Sequence, residues 1–197
     1  MKISSPCLHV IRARLVANCS RQAEFETSDR EQLWHAKSGR TEAQTASAVI
    51  DPAWLRADAT SKTAEFKLVG GLTELNGGMN FNGFSRGALV VTIPQGWNVV
   101  LHFKNHDPNL PHSVEIIGDG DNIPTGPVPP AFQHAATGRL EQGFPTGQGT
   151  DVRFVAGKAG AFLIFCAVSG HGAAGMWIRL TVSATADKPT LATAPER

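Results

Sequence analysis

Three side chains in the segment 165–177 could together bind a metal ion. Cys166 offers a thiol, His171 an imidazole and Met176 a thioether, and four residues separate each from the next. Soft sulfur ligands with imidazole favour copper over cations that prefer oxygen, and a trigonal His2Cys set with a weak axial Met is the geometry of a blue electron-transfer centre. The segment supplies three of these four ligands, so a second His must come from elsewhere in the chain.

Each of these residues also has an ordinary structural explanation. A buried Cys is often only a small hydrophobe, and Met fills gaps in protein cores. Their joint position favours a metal site over that explanation. Apolar alternation over 162–166 predicts a strand that ends at Cys166, the glycines after it allow a tight turn, and a further strand is predicted from Trp177 onward.

The choice of the second His rests on its neighbours in the sequence. His112 follows a proline, and the alternation over 113–117 places it at the start of a predicted core strand, which is a rigid mount for a ligand. His134, in a segment rich in Gly and Pro, is the main rival. His102 is expected on the solvent side of a strand, and His106 in a polar turn. The residues alone therefore favour His112 and leave His134 as the alternative.

The rest of the chain has the pattern of an all-β protein. It contains 20 Gly and 12 Pro with short β-branched runs between them, which favours strands over helices. Trp97, Val99, Leu101 and Phe103 share one side of a predicted strand and are expected to face the core. Such short strands predict a Greek-key β-sandwich or barrel, although an immunoglobulin-like binding module would share the pattern. The seven predicted strands are 64–69, 88–93, 97–103, 113–117, 152–156, 161–168 and 176–182.

The chain of 197 residues is expected to hold one domain with extensions. Residues 1–60 are predicted to form an irregular or partly helical N-terminal extension, with short helices beginning near Ser28 and Asp51. The β domain is predicted over 61–183 and a disordered tail over 184–197. For the long segment 118–150, a role beside the metal site and a surface excursion without a role both stay open.

Composition excludes some classes of function. The net charge is +1, from 18 basic and 17 acidic residues, so no nucleic-acid-binding surface is indicated. The longest apolar run, 161–168, is far too short to span a bilayer, so any membrane association would not use a transmembrane helix of this chain. Cys7 and Cys19, left over when Cys166 is assigned to the metal, give no disulfide framework.

Four segments resemble the sulfocyanins, single-domain cupredoxins related to rusticyanin: 77–84, 93–99, 110–112 and 166–177. The resemblance covers about residues 60 to 183, and its most specific part is the spacing of Cys, His and Met, which rusticyanin shares. It implies a cupredoxin fold and one type-1 copper per chain, bound by His112, Cys166, His171 and Met176. One departure is Ser113, where sulfocyanins usually have Asn directly after the first His and rusticyanin has Ser.

The resemblance also implies a cellular role. Proteins of this type carry single electrons between redox proteins, so partners of the cytochrome or terminal oxidase type in a respiratory chain are expected, with the protein itself a monomer. The relatives are exported, to the periplasm or the outer face of the membrane. Arg12 and Arg14 interrupt the apolar stretch that a signal peptide needs, so an unusual export route, a different start site and a cytoplasmic protein all stay open, with export preferred.

Two other classes of function compete with the carrier. A copper-dependent oxidoreductase would need an open coordination position, and Met176 is expected to occupy it. A metal-free β-sandwich binding module would explain the strands but leave the Cys, His and Met spacing as coincidence. Zinc also accepts Cys and His, but Met is an unusual ligand for it. One copper per chain without turnover of oxygen or nitrite would distinguish the carrier.

Overall fold

The computed structural model describes residues 49–197, which form two β-sheets packed face to face. Short 3-10 turns at Pro52–Trp54 and Leu75–Gly78 are the helical elements in this part of the chain. The prediction of an all-β sandwich is confirmed. The strands are β1 Leu55–Asp58, β2 Thr63–Gly70, β3 Leu89–Pro94, β4 Asn98–Asn105, β5 Glu115–Gly118, β6 Gly149–Val155, β7 Gly160–Phe165, β8 Trp177–Ser183 and β9 Thr190–Thr193.

Both sheets mix parallel and antiparallel pairs. The first has the order β1-β2-β4-β6, with β2 parallel to β4 from Thr63↔Asn98 to Gly70↔Asn105. The second has the order β5-β7-β8-β3-β9, with β3 parallel to β8 and the other pairs antiparallel. Because strands that are distant in sequence lie side by side, the start of β5, the end of β7 and the start of β8 come to one end of the sandwich.

The core lies between the sheets and follows from the alternation of side chains along each strand. In and beside β4, Trp97, Val99, Leu101 and Phe103 are buried as predicted, whereas His102 on the opposite face is half-buried. A second, smaller apolar cluster covers the outer face of β5, β7 and β8. Its buried members are Ile117, Leu163, Phe165, Ala167 and Trp177, with Ile123, Val128 and Leu140 of the long segment 118–150 packed on them.

All seven predicted strands are present as β2 to β8, but β1 and β9 were not predicted. β9 pairs with β3 from Leu89↔Thr193 to Thr92↔Thr190, so this part of the expected disordered tail 184–197 is an edge strand. Its side chains are mostly exposed, and backbone pairing rather than apolar burial holds it. β1 likewise pairs with β2 before residue 61. Both strands lie outside the predicted domain limits 61–183.

The predicted helix start at Asp51 is a single 3-10 turn. The Asp51 side chain accepts a hydrogen bond from the N–H of Ala53 at 2.8 Å, and Pro52 stands at the first helical position. The predicted helix after Ser28 and the segments around Cys7 and Cys19 lie outside the described residues. Within 49–197, no helix is long and apolar enough to cross a membrane.

Candidate metal centre

His112, Cys166 and His171 come together at one end of the sandwich. The Sγ of Cys166 lies 4.0 Å from Nδ1 of His112 and 3.6 Å from Nδ1 of His171. The two Nδ1 atoms are 3.3 Å apart. The possible ligand atoms of these three side chains all lie within 4.8 Å of one another. Among the described His, Cys, Asp and Glu residues, this is the group of three that converges so closely.

These distances match those of a trigonal metal site. An ion about 2.0 Å from each nitrogen and about 2.3 Å from the sulfur, with angles near 120°, places pairs of donor atoms roughly 3.5 to 3.7 Å apart. The three measured separations scatter around that value. One thiol and two imidazoles are also the donor types that copper prefers. Geometry and chemistry therefore both fit a type-1 copper ion.

Cys166 is held in place directly after β7. Its side chain is fully buried, and its N–H donates to the carbonyl of Met176 at 3.0 Å. The N–H of Ser113 donates to Sγ at 3.4 Å. Burial raises the pKa of the Cys166 thiol, and hydrogen bonds from Ser113 and Val168 oppose that rise only in part. Binding of a metal would release the thiol proton, since the thiolate is the ligand form.

The turn between Cys166 and Met176 is closed by its own backbone. The N–H of His171 donates to the carbonyl of Val168, and the N–H of Met176 donates to the carbonyl of His171, both at 3.0 Å. Met176 is fully buried beside the cluster. Gly172 is required here, because a Cβ at this position would lie 2.6 Å from the Phe165 ring. The main chain of the fourth predicted ligand, Met176, is thus hydrogen-bonded to that of both Cys166 and His171.

Asn76 and Arg86 fasten the far end of this turn. The side chains of both residues donate to the carbonyl of Ala174, at 3.0 Å and 3.1 Å. The N–H of Arg86 also donates to the carbonyl of Gly175 at 2.9 Å. The backbone just before Met176 is therefore fixed by two segments that are distant in sequence.

His112 is fully buried, and its ring contacts a buried carboxylate on the side away from Cys166. Its Nε2 lies 3.2 Å from Oδ2 of Asp107. The carboxylate can only accept, so Nε2 carries the hydrogen and Nδ1 faces the cluster with its lone pair. Burial lowers the pKa of His112, and the contact with Asp107 opposes this in part. Burial likewise lowers the pKa of His171, and neutral imidazole is the form that binds metals.

Asp107 was not identified from the sequence. It lies in the turn after β4, which has the composition of an ordinary polar loop, and it is 3% exposed. Burial pushes the pKa of Asp107 upward, but the N–H groups of Asn109 and Leu110 and the His112 ring outweigh this and hold it below its ordinary value. An Asp followed by Pro and Asn signals a turn, but nothing in that signal indicates contact with a ligand five residues later.

The long segment 118–150 contacts both segments that carry the predicted ligands, just before β5 and in the turn after β7. His112 and Phe144 form a two-hydrogen-bond backbone pair, and Oγ of Ser113 donates to the carbonyl of Leu140 at 2.8 Å. The carbonyl of Thr125 accepts from the N–H of Gly170 at 2.7 Å. Of the two roles left open for this segment, the structure supports the one beside the metal site.

The other His residues of the described chain lie away from the cluster. His134, the rival to His112, is exposed and has a left-handed backbone with φ 63°. His102 lies 2.8 Å from Asp151 on the outer face of the first sheet. His106 is exposed in the turn before Asp107. His9 and His35 lie outside the described residues.

The surface around the cluster is small and mainly apolar. His171 is partly exposed, as are its neighbour Ala174 and, on the other ligand segment, Leu110 and Pro111. Ala173 is exposed. Gly172 and Gly175 are buried, because their backbone folds under the turn.

Comparisons with known proteins show which proteins this chain is similar to. A family model described as the Sulfocyanin (SoxE) domain matches residues 52–193. The sulfocyanin of Sulfolobus acidocaldarius is 30% identical over 122 residues, which are 56% of this chain and 58% of that protein. Among solved structures, a rusticyanin variant is 22% identical and covers 62% of this chain and 78% of its own, with a TM-score of 0.48. The auracyanin of Roseiflexus castenholzii is 20% identical, with 65% and 99% covered and a TM-score of 0.45.

Proposed function

Because the chain belongs to the sulfocyanin family, whose members are blue copper proteins, we propose that it is a mononuclear electron carrier of a respiratory chain. Family membership confirms the resemblance drawn from the four sequence segments, and copper is the cofactor that follows from it. The curated relative is matched over little more than half its length.

Nδ1 of His112, Sγ of Cys166 and Nδ1 of His171 would hold the copper ion, and the thioether of Met176 would be a fourth, weaker ligand. The observation that carries this assignment is the convergence of the three donor atoms, at separations of 3.3, 3.6 and 4.0 Å. Met176 adds a buried thioether whose main chain is bonded to both Cys166 and His171. The set is the one that blue copper sites use.

The role of the chain is to hold these donors in one arrangement. A bound copper ion would supply the chemistry by alternating between the Cu(I) and Cu(II) states, with the exchange of one electron. Backbone hydrogen bonds fix the turn from Cys166 to Met176, and the buried contacts of His112 fix its ring. A protein cage that cannot relax keeps the rearrangement between the two oxidation states small. Cys166 and His112 are buried, which keeps water from the thiolate.

The surface next to His171 is the proposed docking face. It consists of His171, Ala173 and Ala174 with Leu110 and Pro111, which are all at least partly exposed. Electron-transfer partners commonly meet through small, transient interfaces. We infer redox proteins of the cytochrome or terminal oxidase type as partners, a monomeric carrier, and a location in the periplasm or at the outer face of the membrane.

Counting copper and electrons tests this function against a copper enzyme. We expect the purified protein to bind one copper per chain and to take up one electron per chain in a reversible titration. The loaded protein should consume neither oxygen nor nitrite when it is supplied with reductant. Two coppers per chain, or steady turnover of either substrate, would instead indicate an oxidoreductase.

A further inference from the structure

Both carboxylate oxygens of Asp107 have hydrogen-bond partners in or next to the turn that precedes His112. One oxygen, Oδ1, accepts hydrogen bonds from the N–H groups of Asn109 and Leu110, at 2.8 Å and 2.9 Å. The other, Oδ2, lies 3.2 Å from Nε2 of His112. A single side chain thus closes the turn before His112 and contacts the ring of that residue.

The surrounding backbone shields this carboxylate from water. Gly71 and Gly78, both with positive φ, pack against Asp107, and a Cβ on either would overlap its side chain. The Asp107 main chain is fixed as well, since its N–H donates to Oδ1 of Asn105 and its carbonyl accepts from Oγ1 of Thr146. The contact with His112 is therefore buried and held in place by the backbone on both sides.

Only a carboxylate satisfies all three donors at this position. An Asn would present one oxygen and one NH2 group. If the oxygen accepted from the N–H groups of Asn109 and Leu110, the NH2 group would face the N–H of His112. If the amide were flipped, its NH2 group would face the N–H groups of Asn109 and Leu110 instead. Either arrangement places two hydrogen-bond donors against each other. In the first arrangement this conflict disappears when the His112 hydrogen moves from Nε2 to Nδ1, because Nε2 can then accept from the NH2 group.

We propose that Asp107 is the positioning residue of the copper centre, which fixes the ring and the tautomer of His112 and lowers the reduction potential. This inference rests on the proposed function, because it takes His112 as a copper ligand. Partners that orient a His ligand commonly change metal affinity by about 10- to 100-fold when they are removed. The negative charge stabilises Cu(II) more than Cu(I), because Cu(II) carries one more positive charge.

The test compares Asp107→Asn with a matched control, Asp151→Asn. Asp151 also contacts a His, His102 at 2.8 Å, but both side chains are more than a third exposed and lie on the outer face of the first sheet. The control removes the same charge from an exposed Asp that contacts a His and also Arg153, away from the copper ligands. Three quantities are measured at one fixed pH: ring-nitrogen NMR shifts of His112 in the apoprotein, the midpoint potential, and the rate of copper loss to a chelator.

In the unaltered apoprotein we expect His112 to carry its hydrogen on Nε2. In Asp107→Asn we expect the Nδ1–H form to appear, the potential to rise and copper to be lost at least several-fold faster, whereas Asp151→Asn should match the unaltered protein. If Asp107→Asn does not unfold cooperatively, Asp107→Ser replaces it, because a hydroxyl can still accept from the backbone N–H groups.

Two results would overturn the proposal: an unchanged tautomer and potential in Asp107→Asn, or equal shifts in the two variants. Failure of the proposed function gives a different result. In that case the unaltered protein forms no blue copper site, although the tautomer of the apoprotein can still be measured.

Discussion

At the scale of single residues, Glu115 is buried without the partners that a charged carboxylate needs. Its Oε2 accepts one hydrogen bond, from the N–H of Val128 at 3.2 Å, and Oε1 is the buried side-chain oxygen without a partner in the described part of the chain. The register places Glu115 opposite Phe165, on the apolar outer face of β5 and β7. No charged side chain within 49–197 forms a hydrogen bond or ion pair with it. Burial therefore raises the pKa of Glu115 above its ordinary value.

This raised pKa predicts that the fold loses stability as the pH increases. The native state holds the Glu115 proton more tightly than the unfolded state, so the contribution is complete below the ordinary pKa of a Glu and is lost as the pH rises through the folded pKa. The loss reaches at most about 1.4 kcal/mol per pH unit. In Glu115→Gln, which stays neutral, we expect this slope to disappear.

Urea unfolding of the apoprotein from pH 4 to pH 9 measures the effect. The apoprotein is used because copper binding would release the Cys166 proton and would itself make the unfolding free energy depend on pH. Glu141→Gln in the exposed part of the same long segment is the control and should follow the unaltered protein. If Glu115→Gln and the unaltered protein kept a constant difference in unfolding free energy over this range, Glu115 would not be neutral in the fold.

At the scale of elements, the long segment 118–150 supports the backbone that carries His112, just before β5. Gly143, with φ +68°, packs against the backbone of Pro111 and His112, and a Cβ there would lie 2.8 Å from the N atom of His112. Gly147 in the same segment has φ +76° with open space where a Cβ would be. The two glycines thus share the backbone conformation and differ in what they contact.

Replacing each glycine by Ala separates backbone strain from pressure on the ligand. Both changes place a Cβ on a left-handed backbone, which costs about 1 to 2 kcal/mol. Only Gly143→Ala also pushes on His112, so we expect a larger loss of unfolding free energy and an altered copper absorption spectrum. Gly147→Ala should retain the original spectrum. Identical spectra for both variants would show that this segment does not set the position of His112.

How far the elements could be predicted depended on what holds each of them. β2 to β8 could be predicted because each buries at least one face, which leaves alternation in the sequence or, for β5 and β7 with both faces buried, a short apolar run. β1 and β9 were missed because they are edge strands with mostly exposed side chains. The convergence of His112, Cys166 and His171 could be predicted, because few residues of the chain can bind copper and their spacing suits a metal site. The contribution of Asp107 could not be predicted, because its contact with His112 depends on how the turn after β4 folds back.

At the scale of the whole molecule, the exposed surface near His171 should govern encounters with other redox proteins. Ala173 is exposed on this face, whereas Gly172 is buried against Phe165 and any side chain there would disturb the site itself. Ala173 is thus the position at which a charge can be added without filling the interior. Ala184 is also exposed, and it lies beyond the end of β8 that is remote from Met176.

Electron self-exchange between the oxidised and reduced forms of the protein tests the docking face without a known partner. In Ala173→Glu, two like charges face each other when two copies meet, so the exchange rate should fall several-fold at low salt and recover at high salt. Ala184→Glu adds the same net charge and should leave the rate nearly unchanged. NMR line widths in mixtures of the two forms give the rate, and equal slowing in both variants would place the exchange surface elsewhere.

The central claim is that Cys166, His112, His171 and Met176 form a type-1 copper centre. The most direct measurement is to add Cu(II) to the purified apoprotein and to a Cys166→Ser variant, and to record visible and electron-spin-resonance spectra. We expect an intense blue thiolate-to-copper band with narrow copper hyperfine splitting, absent from the variant. A colourless protein, or a spectrum that survives the loss of Cys166, would contradict the claim.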